Sequence, residues 1–396
     1  MQAVQQGIIT LIRSALTQQK MPLPQDFSLD DAMELIHKHH IQALCFEGAT
    51  LCGLPMESQP MQQLFKAYCN FVVAATRQDR AIAKLFSAFE DNGIDYIPLK
   101  GSRMRPLYPK PELRTMGDAD ILIRSEQYES IVPLVQALGY RPYSQTDHDH
   151  SWNSKDLFLE LHHVLLAPDE VGFTPMQADG WSAAHSVEGC RWGMRIEDEW
   201  LYQFGHFTKH YTTGIGIRHV ADLWMFLKHH PQMDKAYISE QLRKLWLEEF
   251  YSNVMGLIEL WFEDGPSNET PQFMNDYIFA CGSWGTSQNH QLGDVVKGTT
   301  KNESIASQFG KKLVKFLFPG REAVENTFPV AKKHRWLYVP LLVVRPIYRL
   351  FKEKNIGKVW TQTAKSYESS RVDEKRRQLE RVGLHTNAHE SKKNGE

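Results

Sequence analysis

The stretch LRTMGDADILIRS, residues 113–125, decides the fold, because it joins two aspartates to the start of a short aliphatic run. The run 121–123 is typical of a buried strand. A strand repeats every two residues, so Asp118 and Asp120 point to the same face, roughly 7 Å apart along the chain. Two such carboxylates repel each other and are costly to bury unpaired, and a divalent cation would turn that repulsion into binding. The alternative is a capped turn with a surface carboxylate.

The overall composition is that of a soluble globular protein. The chain has 396 residues, 42% hydrophobic and 23% charged, which leaves room for two or three domains. The formal net charge of −2 makes nucleic acid an unfavoured partner, because any contact would need a local basic patch. The five cysteines are odd in number and form no C-x-x-C pair, which favours a reduced, cytoplasmic protein. We expect no signal peptide and no membrane span.

Hydrophobic spacing divides the chain into four parts. Residues 1–93 show helical spacing and predict an N-terminal helical segment. Residues 94–168 alternate between strand and helix patterns and predict a small mixed sheet. Residues 169–330 predict a C-terminal helical lobe, interrupted by a polar, Gly-rich loop over 263–300. Residues 331–396 form a basic apolar segment with a solvated, frayed tail. The predicted fold class is α+β.

A second strand supplies a third carboxylate. In KDLFLELHH, residues 155–163, one face carries Leu157, Leu159 and Leu161. The opposite face carries Glu160 and His162, and it faces the aspartate pair if the two strands are neighbours. Glu160 is otherwise an exposed residue on a half-buried strand. His162 either assists a general base or is a structural imidazole.

A phosphate site is predicted at Lys100, Gly101 and Ser102, where one strand ends and a helix begins. Backbone N–H groups at a helix start favour an anion, and a glycine lets that anion approach the backbone. The alternative is a plain strand-to-helix turn with Ser102 as its N-cap. Together with three carboxylates, this pattern indicates metal-assisted transfer at phosphorus. Hard oxygen ligands suit Mg²⁺, and two such ions can clamp attacking and leaving oxygens.

These motifs resemble the DNA polymerase β-like nucleotidyltransferase superfamily. Its apolar-Gly-Ser element is matched at 99–102, its Asp-apolar-Asp element at 118–121 and its later acidic residue at 159–161. More narrowly, PLKGSRMRPLY, LRTMGDADILI and LELHH look like uncharacterised bacterial nucleotidyltransferases often found near polysaccharide and peptide-modification genes. The spacer between Ser102 and Asp118 is somewhat longer than usual in the superfamily.

The resemblance implies a nucleotidyltransferase core over 94–168, with its active site in the cleft between core and lobe. Asp118 and Asp120 would bind two Mg²⁺ ions, and Glu160 would complete one site and help deprotonate the attacking group. The Lys100 to Ser102 turn would hold the nucleotide phosphates. The reaction would be an in-line attack on the α-phosphorus of an NTP that releases pyrophosphate, with ATP as the working choice of donor.

Basic residues outside the core are further candidates. By analogy with two-lobed nucleotidyltransferases, Lys209, His210 and Arg218 would reach the triphosphate or the acceptor, and Arg114, which flanks the motif within the core, would contact phosphate. As alternatives, the arginines are solvated, Arg218 pairs with Asp222 along its helix, and His206 and His210 line the cleft or are core histidines. His39 is expected at a solvated helix end.

Residues 331–354 combine an uncharged apolar stretch with seven Lys and Arg residues against one glutamate. This pattern suits an anionic membrane surface, which would place a cytoplasmic protein at the inner membrane face, near a lipid-linked acceptor. Pro340 and Pro346 predict docking through short segments instead of one helix. The alternative is a helix pair packed on the lobe with its lysines in water.

The function predicted from these features is Mg²⁺-dependent transfer of a nucleoside monophosphate from an NTP to an unknown acceptor, in polysaccharide or other surface-polymer biosynthesis. One alternative is a non-catalytic nucleotide-binding homologue, which would bind the nucleotide but release no pyrophosphate. Another is toxin-like modification of tRNA or protein. A tRNA-modifying enzyme would need a basic groove and a steep dependence of affinity on salt.

Overall fold

The structure, a computed structural model, describes residues 2–146, 149–165, 180–283, 285, 287–300, 303–352, 361 and 363–385. The chain forms two compact units, residues 1–284 and 285–396. The four-part division of the chain stays a prediction. Within the described ranges, no helix combines the length and hydropathy needed to cross a membrane.

The described part of the larger unit contains a sheet and a series of helices. The helices are α1 (Ala3–Thr17), α2 (Leu29–Lys38), α3 (Gln42–Cys52), α4 (Gln59–Asp91), α5 (Lys100–Met104), α6 (Tyr128–Ala137), α7 (Ile196–Thr213), α8 (Ile217–His229), α9 (Lys235–Lys244), α10 (Glu248–Phe262) and α11 (Glu269–Cys281). The strands are β1 (Tyr96–Pro98), β2 (Asp118–Ile123), β3 (Arg141–Gln145), β4 (Asp149–Asn153), β5 (Phe158–His162), β6 (His185–Glu188) and β7 (Arg191–Gly193).

The sheet is mixed, with strand order β3-β4-β5-β2-β1-β7-β6. β2 runs parallel to β5 and β1 parallel to β7, and the other neighbours are antiparallel. The predicted α+β class is confirmed, and β4 and β5 form an antiparallel hairpin. The strands β6 and β7 were not predicted, because β6 is exposed along its whole length and its residues do not alternate between buried and exposed.

The two faces of the sheet bury different cores. On one face, Ala119, Ile121 and Ile123 of β2 join the leucines of β5 and side chains of α4 and α6. On the other face, Leu122 packs with Tyr202 of α7. Strand alternation therefore puts the aspartates of β2 on the side of the sheet that α7 covers.

The smaller unit is helical throughout its described residues. Its helices are α12 (Ser287–Thr300), α13 (Ile305–Leu317), α14 (Arg321–Thr327), α15 (Val330–Lys333), α16 (Tyr338–Lys352) and α17 (Ser369–Arg381). The loop predicted over 263–300 was wrong, because α11 and α12 occupy most of it. The tail is not entirely frayed either, since α17 packs on α12 and buries Val372 and Leu379.

Helix α16 also corrects the prediction that two prolines would break residues 331–354. Pro340 lies in the first turn, where backbone N–H groups have no intrahelical partner. Pro346 removes one interior hydrogen bond, and packing on α13 and α14 keeps the helix continuous. Residues 353–354 lie outside the described residues.

Candidate functional site

Two parallel strands bring the acidic residues together. β2 and β5 pair with Asp118 opposite Phe158 and Asp120 opposite Glu160. Opposed residues of neighbouring strands point to the same face, so the register places all three carboxylates on the side that α7 covers. They lie at the start of the strands, where this face opens into a cavity.

Asp120 is held by two partners. It is 2% exposed, its Oδ1 accepts a hydrogen bond from Lys100 Nζ at 2.6 Å, and His162 Nε2 lies 3.0 Å from the same oxygen. Burial by itself would raise the pKa of this carboxyl, but the Lys100 charge and the His162 hydrogen bond hold the pKa of Asp120 well below its usual value. Asp120 is therefore ionised at neutral pH.

Lys100 reaches Asp120 from a rare backbone conformation. Its φ of +39° lies in the left-handed region, which residues other than glycine seldom adopt. Such conformations concentrate at functional sites, where surrounding contacts maintain them. Burial lowers the pKa of Lys100, but the Asp120 carboxylate outweighs burial and raises this pKa above its usual value. The ammonium group is thus a fixed positive charge within the acidic cluster.

The surroundings of Asp118 shift its pKa in the direction opposite to the shift of Asp120. Burial first, and then the negative charge of Asp120, raise the pKa of Asp118, and Glu160 adds to this repulsion. A cation at the cluster would relieve that repulsion. The ligand atoms of Asp120, Glu160 and His162 all lie within 4.8 Å of one another. This donor set, two carboxylates and one imidazole with Asp118 nearby, therefore fits a divalent metal ion.

The predicted phosphate-binding turn, residues 100–102, lies only partly at the cavity. Lys100 and Gly101 line the cavity. A Cβ on Gly101 would lie 2.7 Å from Arg114 Nη1 and 2.8 Å from Met116 Cγ, so packing requires the glycine. Ser102 does not line the cavity, and among the described residues its buried Oγ has no hydrogen-bond partner. Its role in phosphate binding stays a prediction.

The cavity has a volume of about 230 Å³ and two chemically different walls. We call the side formed by Asp118, Asp120 and Glu160 the strand wall. The opposite side, from α7 and α8, is the helix wall, formed by His206, Lys209, His210, Arg218 and His219. The three basic candidates predicted outside the core therefore face the predicted carboxylates.

Three histidines of the helix wall lie close together. The Nε2 atoms of His206 and His210 are 3.1 Å apart, so one imidazole donates to the other. The His219 ring centroid lies 5.7 Å from that of His210. Burial holds the pKa values of His206 and His219 well below the usual range, and neighbouring positive charges add to the effect. Both are therefore neutral at pH 7.

A buried network anchors the helix wall to the loop before β2. Arg114 donates to both carboxylate oxygens of Asp222, at 3.2 and 2.9 Å, and Tyr108 donates to Asp222 Oδ1 at 2.7 Å. Arg218 donates to the Thr115 carbonyl at 2.7 Å. The alternative in which Arg218 pairs with Asp222 along its helix does not hold in the described residues, because Asp222 pairs with Arg114. Burial lowers the pKa of Arg218 to about 10, which leaves it charged at neutral pH.

Sequence reasoning missed His219 as a cavity residue and Asp222 as the partner of Arg114. Both lie on α8, close to the predicted Arg218. The spacing of His219 three residues before Asp222 was a weak signal, because it is equally common on helices without a site. Arg114 lines the cavity, but its guanidinium pairs with Asp222, and its contact with phosphate stays a prediction.

Comparison with known proteins adds a family match. The model of a family described as uncharacterised nucleotidyltransferases matches residues 25–263. No curated protein matches the chain. A solution structure of the antibiotic-resistance factor ANT(2'')-Ia is similar at 14% sequence identity, over 45% of this chain and 95% of that one, with a TM-score of 0.33.

Proposed function

The chain belongs to the uncharacterised nucleotidyltransferase family, and from that premise we propose that it transfers a nucleoside monophosphate from an NTP to an acceptor with the help of Mg²⁺. The family match confirms the resemblance predicted from the sequence, and as a member the protein is a nucleotidyltransferase. The metal, the nucleotide and the residue roles are the further content of the proposal, with ATP as the working donor.

One observation carries the proposal. The register of β2 and β5 sets Asp120 beside Glu160 at the cavity, and the helix wall on the opposite side carries Lys209 and Arg218. A triphosphate needs cationic side chains for its oxygens and carboxylates to hold its metal ions. The two walls supply both at one cavity.

The strand wall is the part that would hold the metal. Asp118, Asp120 and Glu160 provide oxygen ligands, and their mutual repulsion favours a cation. When bound, Mg²⁺ would activate the attacking group and neutralise charge on the departing pyrophosphate. Up to two ions are consistent with the number of carboxylates.

The other roles follow from position. Glu160, with its side chain 24% exposed, would accept the proton of the attacking hydroxyl as its oxygen forms the new bond to the α-phosphorus. The bond from that phosphorus to the bridging oxygen breaks, and pyrophosphate leaves. Lys209, His210 and Arg218 would bind the triphosphate, and Lys100 and Gly101 the neighbouring phosphate oxygens.

The direct test uses the full chain with each α-labelled NTP, Mg²⁺ and a cell extract. We expect label to appear on one class of acceptor while pyrophosphate is released. Nuclease sensitivity of the labelled product would indicate RNA, protease sensitivity would indicate protein, and resistance to both would indicate a polysaccharide or lipid-linked acceptor. Binding of nucleotide without pyrophosphate release in any extract would contradict the proposal.

We also propose that the smaller unit binds the surface of an anionic membrane and so brings the enzyme to a lipid-linked, surface-polymer acceptor. The apolar residues of one stripe, on α16 and just before it, are strongly exposed: Trp336 by 74%, Val339 by 65%, Val343 by 66% and Ile347 by 57%. Their spacing of three to four residues puts them on one helix face. Between residues 303 and 352 there are ten Lys and Arg against three glutamates, and this excess favours anionic lipid.

The exposure of the basic residues decides which of them would contact the membrane. Lys332, Lys333 and Lys352 are exposed beside the stripe. Arg345, predicted as part of the basic flank, is buried and donates to Thr327 Oγ1 at 3.0 Å.

Sedimentation with phosphatidylglycerol vesicles tests this contact. We expect salt-sensitive pelleting of the full chain that is reduced by Lys332→Glu with Lys333→Glu and by Trp336→Ser, and unchanged by Arg371→Glu on α17. Equal pelleting of all variants, or none of the native chain, would end the idea. A stable dimer in solution that loses its contact in Trp336→Ser would assign the stripe to a second copy instead.

A further inference from the structure

We infer that His162 is a ligand of the metal site, where its nitrogen donor raises the affinity for first-row transition ions such as Mn²⁺ while the carboxylates retain the binding of Mg²⁺. This inference rests on the proposed function, because it concerns the same metal site. It adds a residue and a metal selectivity that three carboxylates alone would not provide.

His162 lies on β5, the strand that also carries Glu160. It lies two residues after Glu160, so strand alternation turns both side chains to the same face. His162 is only 5% exposed and is therefore hidden from bulk solvent. Its Nε2 contacts the Asp120 carboxylate, which places the ring at the edge of the acidic cluster.

The donor atoms of His162, Asp120 and Glu160 lie close together. His162 Nε2 lies 3.0 Å from Asp120 Oδ1 and 3.6 Å from Glu160 Oε2. Adjacent ligands of an octahedral ion lie about 3 Å apart when the metal–ligand bonds are about 2.1 Å. The imidazole and both carboxylates therefore already have the spacing of neighbours around one ion.

Oxygen and nitrogen donors favour different metal ions. Mg²⁺ is a hard ion that binds oxygen and keeps several waters. An imidazole nitrogen favours first-row transition ions. A set of two carboxylates and one imidazole keeps the oxygen-rich character that both ions accept, while the nitrogen donor raises the affinity for Mn²⁺. His162 would thereby let the site bind Mn²⁺ more tightly than oxygen ligands alone would.

The adjacent histidine provides a matched control. His163 points to the opposite side of β5, where its ring lies 5.3 Å from that of Tyr128 and 4.7 Å from that of His150. It is half-buried and, within the described part of the chain, no carboxylate of the strand wall contacts it. His206 provides a second control, because it is an imidazole of the same cavity on the helix wall.

The test is paramagnetic resonance with Mn²⁺ as the probe. A titration of the full chain with Mn²⁺ gives the affinity, and electron spin echo modulation detects a directly bound ¹⁴N nucleus. We expect ¹⁴N modulation in the native protein, and its loss when the protein carries ¹⁵N-labelled histidine. This labelling changes no side chain, so it cannot disturb folding.

The variants then assign the signal. His162→Gln should remove the ¹⁴N modulation and weaken Mn²⁺ binding at least about tenfold, while Mg²⁺ binding, measured by competition, changes less than about threefold. His163→Gln and His206→Gln should keep both the signal and the affinity. Persistence of ¹⁴N modulation in His162→Gln, or equal weakening of Mn²⁺ and Mg²⁺, would overturn the inference.

The outcomes also separate this inference from the proposed function. If Mn²⁺ binds in a way that Asp118→Asn abolishes, but without ¹⁴N modulation, the metal site stands and the role of His162 is wrong. If ¹⁴N modulation is present but no NTP yields a labelled acceptor, the metal ligand stands and the proposed transfer is wrong. If no Mn²⁺ binds, both are wrong.

Discussion

The strand wall and the helix wall face the same cavity but differ in charge, in origin and in how the chain holds them. The strand wall is acidic, and backbone pairing of β2 with β5 sets the spacing of its carboxylates. The helix wall is basic, and it is positioned by side-chain contacts such as that of Arg114 with Asp222. We therefore expect the proposed chemistry to depend on the strand wall, which the backbone positions, and the affinity for substrate to depend on the helix wall, which side-chain packing positions.

The largest effect should come from removing one carboxylate of the strand wall. Asp118→Asn or Asp120→Asn keeps the side-chain shape but weakens the proposed metal site, which would supply several kcal/mol of transition-state stabilisation. We expect transfer of label from an α-labelled NTP to slow by about 10³-fold or more. Asp156→Asn, an exposed aspartate in the turn before β5, should retain its rate. A metal-dependent rate near that of the native enzyme in either site variant would show that the residue is not a ligand.

The second prediction separates the two aspartates by stability. The pKa of Asp120 is lowered and that of Asp118 is raised, so at neutral pH the charge of Asp120 stabilises the fold and the charge of Asp118 opposes it. Without metal, Asp120→Asn leaves Lys100 without its counter-charge and should cost about 3 kcal/mol of unfolding free energy.

Asp118→Asn should leave that free energy unchanged or raise it. Denaturant unfolding of both variants in the presence of a chelator measures the difference. If both variants lose the same free energy, the two carboxylates do not experience opposite fields.

The third prediction concerns His39, which holds the start of the helix wall. Its Nδ1 accepts from the Ile217 N–H at the start of α8, and its Nε2 donates to the Phe279 carbonyl. This arrangement needs a neutral ring, and burial lowers the pKa of His39 to about 4. An unfolded histidine takes up its proton near pH 6.5, so the contribution is fully present above that pH and declines as the pH falls.

At pH 5 the loss of unfolding free energy from this residue should be about 2 kcal/mol relative to neutral pH. Denaturant unfolding at pH 7.5 and pH 5 measures it. His39→Gln should be less stable at neutral pH and should lose less of its stability on acidification. The exposed His37→Gln should behave as the native chain does. Identical pH profiles for the native chain and His39→Gln would disprove the assignment.

The smallest effect is expected on the helix wall. Arg218→Gln removes a charge that faces the strand wall across the cavity, and a charge-assisted contact to a triphosphate is worth about 1.5 kcal/mol. We expect the Kd for ATP with its metal to rise about tenfold, while single-turnover transfer at saturating ATP stays within about threefold.

Arg103→Gln is the control for Arg218→Gln, because Arg103 pairs with Glu199 at 2.8 Å and does not line the cavity. A loss of single-turnover rate comparable to that of Asp120→Asn would remove the distinction between the two walls.

Local patterns in the sequence predicted the strand wall well. The alternation of apolar and acidic residues in DADILI and LFLELH requires no knowledge of distant residues, since a strand side chain's face depends only on its parity. The same parity predicted the buried leucines of β5. The strands β6 and β7 were not predicted, because short strands near the surface show no alternation of apolar and polar residues. They form only by pairing with the edge of a sheet that is already present.

Interactions between distant residues could not be predicted in this way. His39 was expected at a solvated helix end, but its ring is buried against residues 178 and 240 positions away. A pairing of Arg218 along its own helix was one alternative, but Asp222 pairs with Arg114, 108 residues earlier. A partner within one helical turn can be read from spacing, whereas a partner from another element depends on how the elements pack.

The sequence by itself determined the α+β class, the nucleotidyltransferase resemblance and the residues of the strand wall, because strand parity and motif spacing are local properties of the chain. Only the tertiary structure decided that β2 and β5 are neighbours in register, that Lys100 and His162 converge on one oxygen of Asp120, and that α7 and α8 close the cavity with a basic wall. These features result from strand pairing and helix packing, whose energies come from contacts between residues far apart in the chain.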